Sequence, residues 1–81
     1  MQHVQRDRTR EKEKIGRDEI DLLIDQWIIG RRAERNRAIL RRKIYDGITY
    51  EELADEFDMS VRQVKNIVYK YGDLIYKKAG L

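Results

Sequence analysis

The sequence predicts an all-α fold of four to five short helices with a helix-turn-helix motif. The chain has 81 residues, no proline and only five glycines, so long stretches are compatible with helix. Apolar residues recur at helical spacing over residues 20–29. Two helix-start signals follow, at Thr49 and at Ser60, and place one helix directly after another.

Length and composition limit the classes of protein. A chain of 81 residues has room for one domain with a modest core. It lacks cysteine, and its one histidine, His3, lies in a polar end, so we expect neither a metal site nor a cofactor. The apolar stretch 20–29 is about half a membrane span, and no apolar signal-peptide core follows Met1. We therefore expect a cytoplasmic, nucleoid-associated protein without a membrane partner.

Residues 1–17 are predicted to form a charged N-terminal arm, and residues 18–81 the helix-turn-helix domain. The arm, MQHVQRDRTREKEKIGR, mixes both signs of charge and has almost no apolar residue, so it cannot bury a face. We interpret it as a disordered or helical extension. Contact with phosphate is a second interpretation of its basic residues, and a solubilising tail is favoured over it.

The segment that begins at Asp18 predicts an amphipathic helix that ends near Gly30. Acidic residues in its first turn suit the positive end of the helix dipole. Its apolar stripe consists of Ile20, Leu23, Ile24, Trp27 and Ile28. We interpret this stripe as core or dimer contact rather than as a platform that stacks a nucleotide. A homodimer through helix 20–29 or through the C-terminal helix is therefore expected.

A second helix, predicted over residues 31–46, concentrates positive charge. The net charge of the chain is only +3, but this segment alone carries seven basic residues. Its apolar stripe includes Leu40 and Ile44, and Gly47 is predicted to cap its C-terminus. The basic residues are interpreted either as a solvated helix face or as phosphate contacts, and both interpretations stay open. Arg31 and Arg32, at its start, are the better phosphate candidates.

Two capping boxes predict a pair of short helices joined by a tight turn. In each box a hydroxyl residue is followed three positions later by Glu or Gln: Thr49 with Glu52, and Ser60 with Gln63. The apolar residues predicted to join the two helices are Leu53, Ala54, Phe57, Val64, Ile67 and Val68. Ala54 is expected at the crossing. This is the helix-turn-helix pattern, whose second helix enters the major groove of DNA.

The second helix, 60–71, is therefore predicted to be the recognition helix. Arg62 can pair with guanine, whereas Asn66 and Gln63 can pair with adenine. The residues expected to contact DNA are Ser60, Val61, Arg62, Gln63, Lys65, Asn66, Tyr69 and Lys70. The residues expected to contact phosphate from outside this helix are Arg31, Arg32 and Thr49. Gly72 allows a break, and whether a separate helix follows it is left open.

Two runs of the sequence carry a resemblance to a known family. Residues 34–54, ERNRAILRRKIYDGITYEELA, resemble the start of region four of bacterial sigma factors. Residues 60–68, SVRQVKNIV, are similar to the recognition helix of sigma-like and LuxR-type regulators. The resemblance covers residues 34–71. It implies a helix-turn-helix DNA-reading module of the kind found in small phage or mobile-element regulators.

Two positions depart from the pattern of this family. Arg42 stands where the family commonly has an apolar residue. Asp58 occupies a turn position that glycine often holds, and aspartate tolerates the left-handed conformation better than most residues. Because the region-two elements of a sigma factor have no room in this chain, the resemblance is to one isolated module.

The predicted function is that of a sequence-specific, double-stranded DNA-binding transcriptional regulator, whose dimer would recognise an inverted repeat. We do not expect an enzyme, because the carboxylates of helix 49–57 have no His, Cys or Lys pocket to work with. The alternative is a helix-turn-helix-derived interaction module or inhibitor, encoded by a phage or mobile element, that binds RNA polymerase or a host effector. Steep salt dependence favours DNA, and weak salt dependence favours a protein partner.

Overall fold

A computed structural model describes residues 16–80, and all regular structure in this range is helical. The helices are α1 (Arg17–Trp27), α2 (Ala33–Arg41), α3 (Tyr50–Glu56) and α4 (Val61–Lys78), and a π-helical turn (Arg42–Asp46) extends α2. The predicted all-α fold is confirmed, with four α-helices in this range. Most of the arm predicted over 1–17 lies outside the described residues. Within them, no helix combines the length and apolar character that crossing a membrane requires.

The buried face of α1 is narrower than its apolar pattern predicts. Ile20, Ile24 and Ile28 are buried, and their spacing of four residues places them in one row. Trp27, which the pattern assigns to the same stripe, remains 39% exposed. The Lys78 ammonium lies 3.9 Å from the centroid of its ring, a cation–π contact that joins the ends of α1 and α4. The indole therefore lies at the margin of the core, because only the row facing α2 and α4 is covered.

Helix α2 begins at Ala33, two residues later than the pattern predicts. Gly30 has a φ of 107°, and its carbonyl accepts the Ala33 N–H at 3.2 Å. Arg31 and Arg32 consequently form the turn before the helix rather than its first residues. At the other end, Gly47 follows the π-helical turn with a φ of 63°, so the predicted left-handed cap is confirmed.

Both predicted capping boxes are present. The Thr49 hydroxyl accepts the Glu52 N–H at 3.1 Å, and the Ser60 hydroxyl accepts the Gln63 N–H at 3.1 Å. Between α3 and α4, Asp58 has a φ of 54° and is the one non-glycine residue with a positive φ in the described range. Aspartate thus adopts the left-handed conformation that glycine often supplies at this turn. The turn lets α4 pack back on α3.

Two apolar clusters form the core, and α4 contributes to both. The first cluster consists of Ile20, Ile24, Ile28, Leu40 and Ile75. The second consists of Ile39, Leu53, Ala54 and Val64, with Phe57, Ile67 and Val68 packed against it. All six apolar residues predicted to join the two helices therefore lie together. Val68 packs against both clusters and connects them.

Helix α4 continues through Gly72, so the predicted recognition helix 60–71 is the first part of an 18-residue helix. Gly72 is buried, and a Cβ added to it would lie 3.8 Å from Leu40 Cδ1, an ordinary contact distance. Ile75, one turn later, is fully buried in the first cluster. Packing on both sides of the glycine outweighs its low helix propensity. The question of a separate C-terminal helix is thus decided in favour of one helix.

Candidate nucleic-acid interface

One face of the first three turns of α4 is exposed and polar. Arg62, Lys65, Asn66 and Tyr69 lie at spacings that place them on one side of the helix. All four are exposed, and Tyr69 keeps 61% of its surface open to solvent. Behind them, Val64 is fully buried in the second cluster against α3. Helix α3 therefore supports α4 from the side opposite to these polar residues.

The capping boxes occupy several of the atoms predicted to contact DNA. The Thr49 hydroxyl accepts from the Glu52 N–H and donates its proton to Glu52 Oε1 at 3.0 Å, so no donor remains for phosphate. Gln63 Oε1 accepts the Ser60 N–H at 3.0 Å, which leaves only its amide NH₂ for another partner. The Ser60 hydroxyl accepts one hydrogen bond and keeps a proton to donate. Ser60 and Gln63 thus retain one kind of donor each, whereas Thr49 retains none.

Two further predicted contacts lie at the margins of this face. Val61 is half-buried and packs against the second cluster, so less of its surface is available to a base than the helical pattern indicates. Lys70 is exposed, and its ammonium lies 5.2 Å from the centroid of the Tyr71 ring. Lys70 therefore extends the basic surface along the edge of α4, while Val61 contributes to the core.

The basic residues in the first three turns of α4 keep their charges available. Within residues 16–80, Arg62, Lys65 and Lys70 form no ion pair. Asp73, the acidic residue of α4, forms its ion pair with Lys77 at 3.1 Å, one turn away, and not with any of these three residues. Among the described residues, no carboxylate forms an ion pair with these three basic side chains.

Tyr50 and Lys43, which sequence patterns did not single out, extend this surface beyond α4. The Tyr50 ring meets Tyr69 edge to face, with centroids 6.1 Å apart and planes at 83°. The ammonium groups of Lys43 and Lys65 lie 4.3 and 5.6 Å from the Tyr50 centroid. Burial, and then the neighbouring Tyr69, raise the pKa of Tyr50. The one signal in the sequence was the position of Tyr50 beside the Thr49 cap, because the aromatic pair forms only when α4 packs on α3.

In the arginine-rich segment 31–46, the structure assigns internal partners to several basic side chains. Arg37 donates to the Ile28 carbonyl at 2.8 Å and to the Asp25 carbonyl at 3.0 Å, which satisfies acceptors at the end of α1. Arg41 binds the carboxylates of Asp21 and Asp25 at 2.7 and 2.9 Å. These guanidinium groups join α2 to α1, so their charges are already satisfied within the fold.

Arg42, one of the two departures from the family pattern, has a structural role. Its guanidinium binds Glu56 at 2.7 Å and Asp46 at 2.6 Å. The ion pair with Glu56 connects the π-helical turn to the last residue of α3. A polar connection thus stands where the family that the sequence resembles commonly has an apolar residue.

Asp21 and Tyr45 complete the polar contacts between α1 and the π-helical turn. The hydrogen bond from Arg41, and then that from Tyr45, lower the pKa of the Asp21 carboxyl. The Tyr45 hydroxyl donates to Asp21 Oδ1 at 2.8 Å. Burial and this hydrogen bond raise the pKa of Tyr45 to about 12. The hydrogen-bonded state is thus favoured when Asp21 is ionised and Tyr45 is neutral.

Arg31 and Arg32 are exposed in the turn between α1 and α2. Neither forms an ion pair within residues 16–80, so their charges are available to a ligand. No hydrogen bond or ion pair in this range joins either side chain to α3 or α4. Trp27, which precedes this turn, contacts Lys78 at the C-terminal end of α4, whereas the polar face occupies the N-terminal part of that helix.

Two of the four carboxylates of α3 have contacts within the fold. Glu52 belongs to the capping box, and Glu56 binds Arg42. Among the described residues, no group of three or more His, Cys, Asp or Glu could hold a metal ion. The site as a whole is a polar face on α4, whose opposite side packs against α3.

Comparisons of the chain with protein-family models, curated proteins and solved structures found no match. The polar face of α4 is therefore the feature of the molecule that indicates a function.

Proposed function

We propose that this protein is a sequence-specific, double-stranded DNA-binding transcriptional regulator in which α3 and α4 act as a helix-turn-helix. The observation that carries the proposal is the exposed face of α4. Arg62, Lys65 and Asn66 lie on this face, and the opposite face of α4 packs against α3. The major groove of DNA accepts a helix that presents such groups to base edges. The proposed recognition helix is residues 60–71, the first part of α4.

The side chains of this face divide into base-reading and phosphate-binding groups. The Arg62 guanidinium can donate two hydrogen bonds to guanine O6 and N7, and the Asn66 amide can pair with adenine N6 and N7. Lys65 and Lys70 suit phosphate, as does the remaining proton of Ser60. Gln63 can donate to a base through its NH₂ only, as long as its oxygen caps α4. Arg62 and Asn66 therefore carry most of the proposed sequence specificity.

Selection from a random duplex library tests this proposal. We expect the wild-type protein to enrich one motif, and the Asn66→Ala variant to lose preference at one position of it. Glu34→Ala is the control, because Glu34 is exposed on α2, outside both the polar face of α4 and the exposed apolar residues of α1. Enrichment of no motif by the wild type, or an equal loss in both variants, would contradict the proposal.

The exposed apolar surface of α1 supports a proposed dimer. Leu22 is 67% exposed, Trp27 39% and Ile29 69%. A second copy that covers this surface would place two recognition helices on one duplex, so the selected motif should be an inverted repeat with half-sites about one helical turn apart. Sedimentation equilibrium at micromolar concentration checks the oligomeric state. A monomer bound to one half-site would exclude the dimer and leave the DNA-reading face untouched.

The same apolar surface favours a second candidate function. Exposed Leu22, Trp27 and Ile29 could bind RNA polymerase or a host effector, which would make the protein an interaction module or inhibitor. Salt dependence separates the two candidates. DNA binding through several basic residues releases counterions, so affinity should fall steeply with salt, whereas a partner held by apolar contacts should show a shallow dependence.

A further inference from the structure

A groove opens beside the polar face of α4, bordered by α2, the π-helical turn and the start of α3. Its volume is about 540 Å³, within the range of roughly 300 to 1,000 Å³ typical of small-molecule sites. Its apolar lining includes Leu40 and Gly72, which are buried, and Ile44 and Val68, which are half-buried. An apolar base of this kind favours the apolar body of a ligand over water.

Three tyrosines line the same groove. Tyr69 and Tyr76 are 61% and 45% exposed, so they form its outer walls, while Tyr50 is half-buried. Aromatic rings prefer offset-stacked or edge-to-face neighbours, and Tyr50 and Tyr69 already meet edge to face. A flat aromatic ring is therefore the ligand shape that these walls suit best.

The charge of the lining indicates the polar end of the ligand. Lys43 and Asp73 are the charged residues that line the groove. Asp73 is already paired with Lys77 at 3.1 Å. Lys43 donates one hydrogen bond, to the Ile48 carbonyl at 2.8 Å, and forms no ion pair within residues 16–80. An ammonium has three protons to donate, so Lys43 keeps donors for an anion.

We propose that this groove binds a small planar aromatic carboxylate, with its ring among the three tyrosines and its carboxylate at Lys43. Tyr69 also belongs to the candidate DNA-reading face. A bound carboxylate would add negative charge beside the proposed phosphate contacts and would lower the affinity for the duplex. This coupling rests on the proposed function. Binding of the ligand itself does not depend on the DNA proposal.

Titration of indole-3-acetate into ¹⁵N-labelled protein, without DNA, tests the site. We expect saturable shifts of the Val68, Gly72 and Asp73 amides, with a dissociation constant of about 1 mM or tighter. Indole-3-acetamide, which keeps the ring and loses the charge, should bind about tenfold more weakly, and acetate alone should produce no saturable shift. Absence of saturation, shifts confined to other residues, or equal binding of the amide would overturn the proposal.

Three variants locate the binding. Lys43→Gln should weaken indole-3-acetate about tenfold, and Gly72→Leu should abolish binding because the new side chain occupies the groove. Lys78→Gln, on the same helix but outside the groove, should bind as the wild type does. Each variant is first checked for a wild-type-like amide spectrum. If one fails to fold, the comparison of acid with amide on the wild-type protein still decides.

A second titration tests the coupling to DNA. Indole-3-acetate, added to the complex with the selected duplex at constant ionic strength, should weaken duplex binding in the wild type and not in Gly72→Leu. Unchanged affinity, together with saturable binding in the absence of DNA, would overturn the coupling alone. Failure to select any duplex would overturn the proposed function while the groove titration still stands as its own test.

Discussion

Segment 31–46 and the first three turns of α4 are both basic, but the fold uses their charges in opposite ways. In the first region, Arg37, Arg41 and Arg42 each bind two partners within the described residues. In α4, Arg62 and Lys65 form no ion pair in that range and are exposed. Density of positive charge along a sequence therefore does not locate a binding surface. The decisive property is whether an acceptor within the fold already satisfies the charge.

The position of the acidic residues explains this difference. Helix α1 presents Asp21 and Asp25 to α2, and α3 presents Glu56 to the π-helical turn. A phosphate that competed for these guanidinium groups would have to replace hydrogen bonds that already exist within the fold. In α4, Arg62 and Lys65 form no ion pair within the described residues, so a phosphate bound there would replace none.

The largest expected effect concerns Arg62. Arg62→Ala should weaken binding to the selected duplex by about 1 to 3 kcal/mol and relax preference at one base pair, because a bidentate contact is lost. The free energy of unfolding should change little, since the side chain has no ion pair in the described fold. Fluorescence anisotropy and denaturant titration measure the two quantities. Lys70→Ala, the comparison variant, should weaken all duplexes alike; a sequence-specific loss there, or silence of both variants, would break the contrast.

Arg41 should behave in the reverse manner. Arg41→Ala should lower the free energy of unfolding by up to about 1 kcal/mol, because ion pairs with two partly exposed carboxylates disappear. Its duplex affinity should remain that of the wild type at temperatures where both proteins are folded. Urea denaturation followed by circular dichroism, with anisotropy on the same samples, checks both parts. Weaker DNA binding without a loss of stability would place Arg41 in the interface.

A smaller effect is expected from Asp21 alone, and it depends on pH. The pKa of Asp21 is lower in the folded state than its ordinary value of 3.8, so the carboxylate contributes stability above that pH. This contribution is lost as pH falls through the lowered folded pKa. Asp21→Asn should therefore be less stable than the wild type at neutral pH and lose less stability on acidification. Asp55→Asn, on α3 and without an ion pair among the described residues, should keep the wild-type pH dependence.

The smallest effect concerns α4 as a helix, without any change of charge. Gly72→Ala should stabilise the protein by about 0.5 to 1 kcal/mol, because alanine favours helix and its Cβ meets Leu40 at an ordinary distance of 3.8 Å. Gly47→Ala is the matched control and should destabilise by about 1 kcal/mol, because φ there is 63°. Thermal unfolding compares the two variants. A stabilised Gly47→Ala would contradict the assigned left-handed cap.

Local features of this fold could be predicted from the sequence. The capping boxes depend on residues three positions apart, and the crossing of α3 and α4 follows from apolar spacing on two adjacent helices. These two predictions required only residues close together in the chain. The left-handed conformation of Asp58 was expected from the resemblance instead, because glycine often holds the turn position that Asp58 occupies.

Long-range packing was the part that the sequence could not supply. The apolar pattern did not show that Trp27 lies at the margin of the core, because that depends on which row of α1 the other helices cover. Gly72 was an ambiguous breaker, since its burial against Leu40 is a tertiary contact. The partners of Arg41 are 16 and 20 residues away, so the two interpretations of the basic segment could not be separated before the fold was known.

Because α4 is one continuous helix, it couples the unfolding of the two apolar clusters. It supplies Ile75 to one apolar cluster and Val64 to the other, and Val68 touches both. Unfolding around either apolar cluster would expose the part of α4 that packs in it, and the other cluster depends on the same helix. The two clusters therefore form one cooperative unit. The slowest-exchanging backbone amides of α1 and α3 should therefore report the same opening free energy, although these helices lie in different clusters.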